Sequence, residues 1–336
     1  MEFLPKYIRY RKNRSRKLIK MRVYITGVAG FLGSHLSDGA LAKGWIVHGI
    51  DNLFRGQIKH LPESENFTFE QINLCGEISV LSASIQQFKP DVILHYGAIN
   101  GTEYFYDRPF EVLDTNVMST INLLKAIEAC EHKPTRIAYA SSSEVYGEYP
   151  DNIPSSETDI TRLDIHSIRD SYAAAKSIGD FYVRMFAEQY GIEWTILRIF
   201  NAYGSRMDAS KFGQVVPEFV KRALFEDEFT IIGDGSHTRA FCHVNDHVRM
   251  VLTLVESEKG VGVFNIGNNE EITMLNLAKE VHKVVGREFS PIHLPKRSND
   301  PLRRQPDMTK TWAITGPCQI SLNEGLTYTA EYYRSL

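Results

Sequence analysis

The sequence predicts an α/β fold, a doubly wound parallel sheet carrying a smaller C-terminal lobe. Three observations predict it. From Met21 to about residue 204, short apolar runs alternate with segments of helical periodicity. The first apolar run ends in a glycine-spaced turn that opens the first helix. After about residue 205 the segments shorten and turn signals multiply.

Each element follows from its pattern. Residues 23–26 are a short apolar run, read as a buried strand, and 31–43 read as a helix closed by Gly44. Residues 45–50 make the next strand, and 92–96 another after Pro90. In 115–130 Val117, Ile121, Leu124 and Ile127 share one helical face. A strand at 136–140, a long helix at 172–190 and a strand at 194–200 complete the alternation. Strands separated by helices pair in parallel, with both sheet faces covered. Beyond 205 come Gly233-Asp234-Gly235-Ser236, Gly267-Asn268-Asn269 and Ser298-Asn299-Asp300-Pro301, the turns of a discontinuous lobe over the sheet's carboxyl edge. The expected division is a basic arm over 1–20, a nucleotide-binding unit over 21–204 and a substrate-binding lobe over 205–336.

Composition narrows the class. Of 336 residues, 43% are hydrophobic and 24% charged, values of a folded protein rather than a disordered, collagen-like or coiled-coil one. No run approaches the roughly 18 apolar residues that span a bilayer. The formal charge of -3 hides an asymmetry. Residues 1–20 hold eight basic side chains against Glu2, a formal +7, which leaves the rest at -10. An acidic body argues against nucleic acid as a partner. The arm reads as a solvated tail, as an upstream extension of a chain that would open cleanly at Met21, or as an anionic-surface or targeting segment; it lacks the apolar core of a secretory signal. Cys75, Cys130, Cys242 and Cys318 are widely spaced without C-x-x-C, which fits a reducing, cytoplasmic setting and no zinc site.

The turn Thr26-Gly27-Val28-Ala29-Gly30-Phe31-Leu32-Gly33 has the spacing of a Rossmann-type dinucleotide loop. Gly27 permits a tight turn, Gly30 lets backbone N–H groups approach a pyrophosphate, and Gly33 allows close packing of helix on strand. Phe31 and Leu32 stand at the helix N-terminus that would receive the anion. Asp51 ends the second strand, eighteen residues past Gly33, with Asn52 beside it. A carboxylate there accepts from both ribose hydroxyls of NAD and repels the 2′-phosphate of NADP; Arg55 nearby works in the opposite sense.

Tyr172 and Lys176 stand at i, i+4 at the head of the long helix, on one face. A neighbouring ammonium stabilises a phenolate, so Lys176 is expected to bring the Tyr172 pKa toward neutrality and to make it a proton acceptor. Ser141-Ser142-Ser143-Glu144 follows a strand and delivers hydroxyls and one carboxylate to the carboxyl edge. Ser142 could share the substrate's proton with Tyr172, and Glu144 is an acid–base candidate. The histidines lack metal-ligand spacing, and no metal is expected.

Together the glycine turn, Ser-Ser-Ser-Glu144-Val-Tyr146-Gly, Tyr172-Ala-Ala-Ala-Lys176 and Arg198-Ile-Phe-Asn201-Ala-Tyr203-Gly resemble the extended short-chain dehydrogenase/reductases, specifically the NAD-dependent epimerase/dehydratase group acting on nucleotide sugars. The resemblance implies NAD as cofactor and Ser142, Tyr172 and Lys176 as the catalytic set. It implies Asn201 at the sugar diphosphate, Arg239 as a diphosphate clamp and Arg303 as a second contact from the small lobe. It also implies a homodimer through the helices over 115–130 and 172–190. Departures are His95-Tyr96-Gly97-Ala98, Asn73 where an Asp is usual and Ser205 where a Pro is usual.

Such enzymes begin by oxidising the sugar C4 hydroxyl to a ketone, which then permits C4 epimerisation, 4,6-dehydration or decarboxylation of a uronate. Glu144 is similar to the acid of dehydratases and UDP-glucuronate decarboxylases, and the segment Asp300-Pro-Leu-Arg-Arg-Gln-Pro-Asp307 resembles the decarboxylases. Ser143 stands where one dehydratase class has Asp, and Glu103 disfavours a carboxylated sugar if it faces inward. The expectation is a UDP-sugar decarboxylase or 4-epimerase, with a 4,6-dehydratase as alternative and a non-catalytic NAD-binding protein as the rival of another class.

Overall fold

The computed structural model describes residues 20–209, 214–226, 228–295 and 303–336; the basic arm up to residue 19 and the turn at 298–301 lie outside them. The chain runs β1 (Arg22–Thr26), α1 (Phe31–Ala42), β2 (Ile46–Asp51), β3 (Phe67–Gln71), α2 (Ile78–Phe88), β4 (Val92–His95), α3 (Thr102–Asp107), α4 (Pro109–Ala129), β5 (Arg136–Ser142), α5 (Asp170–Tyr190) and β6 (Glu193–Ile199). These six strands and the late strand Gly262–Ile266 form one sheet, with Gly262–Ile266 at one edge followed by β6, β5, β4, β1, β2 and β3. Every pairing within it is parallel.

Alternation along the strands explains the two covered faces. On β1, Val23 and Ile25 join one core with Leu36 and Ala40 of α1 and with Val248, Val251 and Leu252 of the helix Val244–Glu256. Tyr24 points to the other core, with Leu81 and Ile85 of α2, Leu123 and Ile127 of α4 and Val183 of α5. The same split separates Leu94 from Ile93 and Ala138 from Ile137 and Tyr139. Chain order reverses between β1 and β4, which opens a crevice at their carboxyl ends.

The late part of the chain is shared between two layers. Helix Val244–Glu256 and strand Gly262–Ile266 return to the sheet, so residues beyond 205 do not all belong to the smaller lobe. That lobe packs the helices Val215–Phe225, Met274–Val285 and Leu322–Arg334 around Phe219, Phe229, Leu277 and Leu326. Its attachment to the sheet layer joins Phe31 of α1, packed on the lobe's core, to two polar contacts. His35 of α1 meets the Ser205 carbonyl at 3.0 Å, and Asp38 pairs with Arg206 at 2.7 Å.

Two elements differ from the sequence reading. Helix α4 begins at Pro109 rather than 115, because proline at the first helical position supplies a preset φ where no intrahelical N–H is needed. Residues 102–107, without an apolar periodicity, nonetheless form the short helix α3, held by its aromatic side chains against neighbouring elements.

Candidate active site

A cavity of about 860 Å³ follows the carboxyl edge of the sheet, from the glycine turn past Tyr172 to Arg239 in the small lobe. At its start Gly27 adopts φ +71°, and a Cβ there would sit 2.9 Å from Gly97 Cα. A Cβ on Gly33 would lie 2.1 Å from the Gly27 oxygen, so the helix can approach the strand only with glycine at this position. Gly30 is the N-cap of α1 and has no side chain to cap it, which leaves the helix start, with Phe31 and Leu32, facing the cavity as an anion site.

Asp51 closes β2. Its carboxylate accepts from Leu53 N at 2.8 Å and Ala29 N at 3.1 Å, which orients it at the cavity wall. Burial pushes its pKa up, and these N–H groups oppose the rise. Asn52 lines the wall beside it and caps its own turn through Phe54 N at 3.0 Å. Arg55 pairs with Asp208 at 2.9 Å and lies 5.4 Å from the Tyr104 ring centroid. It thereby ties the loop after β2 to α3 and to the small lobe.

Further along, Ser142 ends β5; its hydroxyl accepts from Glu144 N at 3.2 Å and faces the Tyr172 phenol. Strand alternation turns Ser141 the other way, toward Asp180. Tyr172 is buried, with Phe105 of α3 stacked on its ring at 4.6 Å and 19°. Lys176 donates to the Ala140 carbonyl at 2.7 Å and sits 5.7 Å from the Tyr172 ring centroid. Burial lowers the Lys176 pKa to about 8, against the attraction of Asp180. The expected drop of the Tyr172 pKa toward neutrality is corrected. Burial raises it, the Glu144 charge adds to the rise, and only the Ser142 hydroxyl offsets part of it. Desolvation of the phenolate outweighs a lysine that is itself turned toward a carbonyl.

Glu144 is gripped by two guanidiniums, Arg169 at 3.1 Å and Arg304 at 3.0 Å. Burial alone would raise its pKa, but Arg304 and then Arg169 outweigh that and hold the carboxyl well below the ordinary carboxylate range. Asn201 lines the cavity and donates to the Ala240 carbonyl at 3.3 Å. Arg239 is buried in the same wall and donates to the Thr238 carbonyl at 2.8 Å. Arg303 is a correction: its guanidinium turns to Glu271, with Nε to Oε1 at 3.1 Å, and it does not line the cavity, whereas Arg304 does. Adjacent residues of an extended segment face opposite sides, and the acid of the strand Glu271–Thr273 claims the outer one. Glu103 also lines the cavity.

This geometry agrees with the comparison of the sequence against known families, in which residues 23–267 match the NAD dependent epimerase/dehydratase family. The chain belongs to that family. It is an NAD-dependent enzyme of nucleotide-sugar modification on a Rossmann-type sheet. Its relatives include a UDP-glucuronic acid decarboxylase of Danio rerio, 32% identical over 99% of this chain and 77% of that protein. A UDP-N-acetyl-alpha-D-glucosaminuronate decarboxylase of Bacillus cytotoxicus is 31% identical over 95% of this chain and 99% of that one. The UDP-glucose 4-epimerase of Thermotoga maritima, solved with UDP-glucose, superposes with a TM-score of 0.86 at 31% identity, over 94% of this chain and 99% of that one.

The family's cofactor fits this chain. The glycine cradle would be filled by any Cβ, an uncapped helix start faces the cavity, and the Asp51 carboxylate stands at its wall. Among the described residues no cluster of three or more His, Cys, Asp or Glu could hold a metal ion. No helix of the described residues is long and apolar enough to cross a membrane. Sequence reasoning missed Arg169, Arg304 and Phe105. Arg169 had a signal, standing three residues before Tyr172 at the head of the same helix. Arg304 had only its neighbour, and Phe105 had none.

Proposed function

We propose that the enzyme decarboxylates a UDP-linked uronate through a 4-keto sugar. The observation that carries this is the Glu144 carboxylate between Arg169 and Arg304, beside Tyr172 in the cavity. Arg169 and Arg304 bring two guanidiniums to the part of the wall where the C6 carboxylate of a uronate would lie, and a guanidinium can hold such a carboxylate in bidentate fashion. The two relatives that are uronate decarboxylases support the same reading.

NAD, when bound, accepts hydride from the sugar C4 and returns it at the end of the cycle. Tyr172 takes the C4 hydroxyl proton, with Ser142 hydrogen-bonded to both oxygens. The resulting ketone is β to the C6 carboxylate. The C5–C6 bond then breaks, CO2 leaves, and its electron pair enters the C4 carbonyl as an enolate, which Tyr172 and Ser142 stabilise. A proton from water then enters C5, and Tyr172 gives back the proton it took when the C4 hydroxyl is restored. Loss of CO2 needs an electron sink but no base at C5, whereas dehydration needs a proton acceptor there. A carboxylate held ionised by two guanidiniums is a weak acceptor, so Glu144 suits the first chemistry better than the second. Asn201 and Arg239 bind the diphosphate in this reading.

One observation favours a second reading. Glu103 lines the same cavity, and an inward carboxylate repels a uronate, as a 4-epimerase of neutral sugars would tolerate. Incubation with NAD and UDP-glucuronate, UDP-glucose and UDP-N-acetylglucosamine, followed by mass spectrometry, separates them. Loss of CO2 from the uronate is the expected result. An unchanged mass in a new chromatographic peak means epimerisation and overturns the proposal, as does loss of water.

The same reading takes the enzyme as a homodimer of the cytoplasm. Free Cys75, Cys130, Cys242 and Cys318 support a reducing compartment. On α5, Ile178, Phe181, Tyr182 and Met185 are exposed at helical spacing, and Phe110 and Met118 of α4, the helix packed on α5, are exposed as well. A second copy laid on this face would complete a four-helix packing.

A further inference from the structure

Asp180 is a buried acid that the chemistry above does not use. It sits on α5 one turn beyond Lys176, so the two side chains share a helical face. Both carboxylate oxygens are closed off from solvent, and neither has a conventional hydrogen bond among the described residues. Arg198 of β6 approaches only to 3.7 Å, and the Ser141 hydroxyl faces the carboxylate from β5. A carboxylate in such a place is costly unless cations hold it. The cations here are Arg198 and Lys176.

The lysine has the mirror-image problem. Its ammonium lies 5.0 Å from the Tyr139 ring centroid on β5 and 5.7 Å from that of Tyr172 on its own helix, with His95 of β4 behind it. Tyr139, Tyr172 and His95 are the titratable groups packed on it, and none of them is an anion at neutral pH. Glu144 acts on Tyr172 but is already matched by two arginines. Asp180 is the acid that opposes the desolvation of this lysine.

We propose that Asp180 is a positioning residue for the acid–base pair: its buried carboxylate, one helical turn from Lys176, keeps that lysine charged and so able to stabilise the Tyr172 phenolate. Arg198 tethers the carboxylate from the neighbouring strand, loosely enough that its charge is still felt by Lys176. The inference rests on Tyr172 and Lys176 as the proton-transfer pair and is independent of which sugar is bound.

The test follows the lysine directly. In protein carrying 13C-labelled lysine, the Lys176 Cε resonance is assigned by its disappearance in Lys176→Met and titrated against pH. Its midpoint in the native enzyme is expected near the value of about 8 set by burial. Asp180→Asn should lower that midpoint by about one pH unit or more, and Asp180→Glu should restore most of it. An unchanged midpoint in Asp180→Asn overturns the inference. If Asp180→Asn does not fold, the reciprocal measurement decides. The Asp180 carboxyl, which burial raises to about 6, should rise further in Lys176→Met, and an unmoved value overturns the inference equally. With UDP-glucuronate, the alkaline limb of kcat should move down with the lysine midpoint in Asp180→Asn. Failure to turn over that sugar would count against the decarboxylase reading alone, because the resonance reports on Asp180 without it.

Discussion

At the residue scale the site depends on how few polar groups are placed within a buried wall. Tyr172 is a phenol that faces the Ser142 hydroxyl and has the Lys176 ammonium one turn away on its own helix. Removing its hydroxyl in Tyr172→Phe should lower kcat by about 10²-fold or more while leaving the protein folded and NAD retained. Steady-state turnover and the absorbance of cofactor after gel filtration check both halves. Glu144 makes a different prediction. Its carboxylate is ionised across the working pH range, so it acts through charge and position and does not carry a proton. Glu144→Gln removes the carboxylate that Arg169 and Arg304 both hold. Release of CO2 should fall far more than reduction of bound NAD by the same substrate, read at 340 nm in single-turnover mixing. An equal loss of both steps would make Glu144 a structural residue.

At the element scale three of the motifs are local and were legible. The glycine turn, the strand end at Ser142 and the head of α5 each lie within a few residues of chain, where spacing alone decides which side chains share a face. The proposed dimer face has the same character. Phe181 is 67% exposed and Phe110 78%, far more than a monomer surface of isolated apolar residues requires. Replacement of both Phe181 and Met185 by Glu should convert a dimer to a monomer in light scattering after size exclusion, with NAD binding kept. A native monomer at micromolar concentration would refute this use of α4 and α5. Helix α3 was not legible. Its sequence has no stripe of apolar residues, and what holds it is the stack of Phe105 on Tyr172 and the approach of Arg55 to Tyr104.

At the scale of the whole molecule the join between lobe and sheet layer sets an acid limit. His35 is buried against the Ser205 carbonyl, and His243 caps the helix Val244–Glu256 by accepting from Asn245 N through Nδ1. Burial lowers both to about 4, in His35 with help from Arg206 and in His243 against Asp246 and Glu324. An unfolded histidine near 6.5 binds its proton first, so the stability of the neutral forms is complete above about pH 6.5 and is lost as pH falls toward 4. Each histidine contributes a slope of up to about 1.4 kcal/mol per pH unit in that window. The Tm should fall steadily between about pH 7 and 5, and less steeply in His35→Gln. A native Tm that is flat over the window would contradict this reading of the join.

The sequence by itself determined the parallel sheet, the glycine turn, the NAD-dependent family and which residues, Asp51, Ser142, Tyr172 and Lys176, stand as site candidates, because each rests on spacing within one element or on the order of elements along the chain. Tertiary structure alone decided which arginine of the pair enters the cavity. Arg304 and Glu144 are 160 residues apart, and no local pattern distinguishes Arg304 from Arg303, which Glu271 draws outward. It also decided that Gly262–Ile266 returns to the sheet beside β6 and that the Asp180 carboxylate is shut in one helical turn from Lys176. The physical reason is common to all three. Electrostatic partners and strand neighbours are chosen by what remains unpaired once the layers close, and that is a property of the packed chain rather than of any stretch of it.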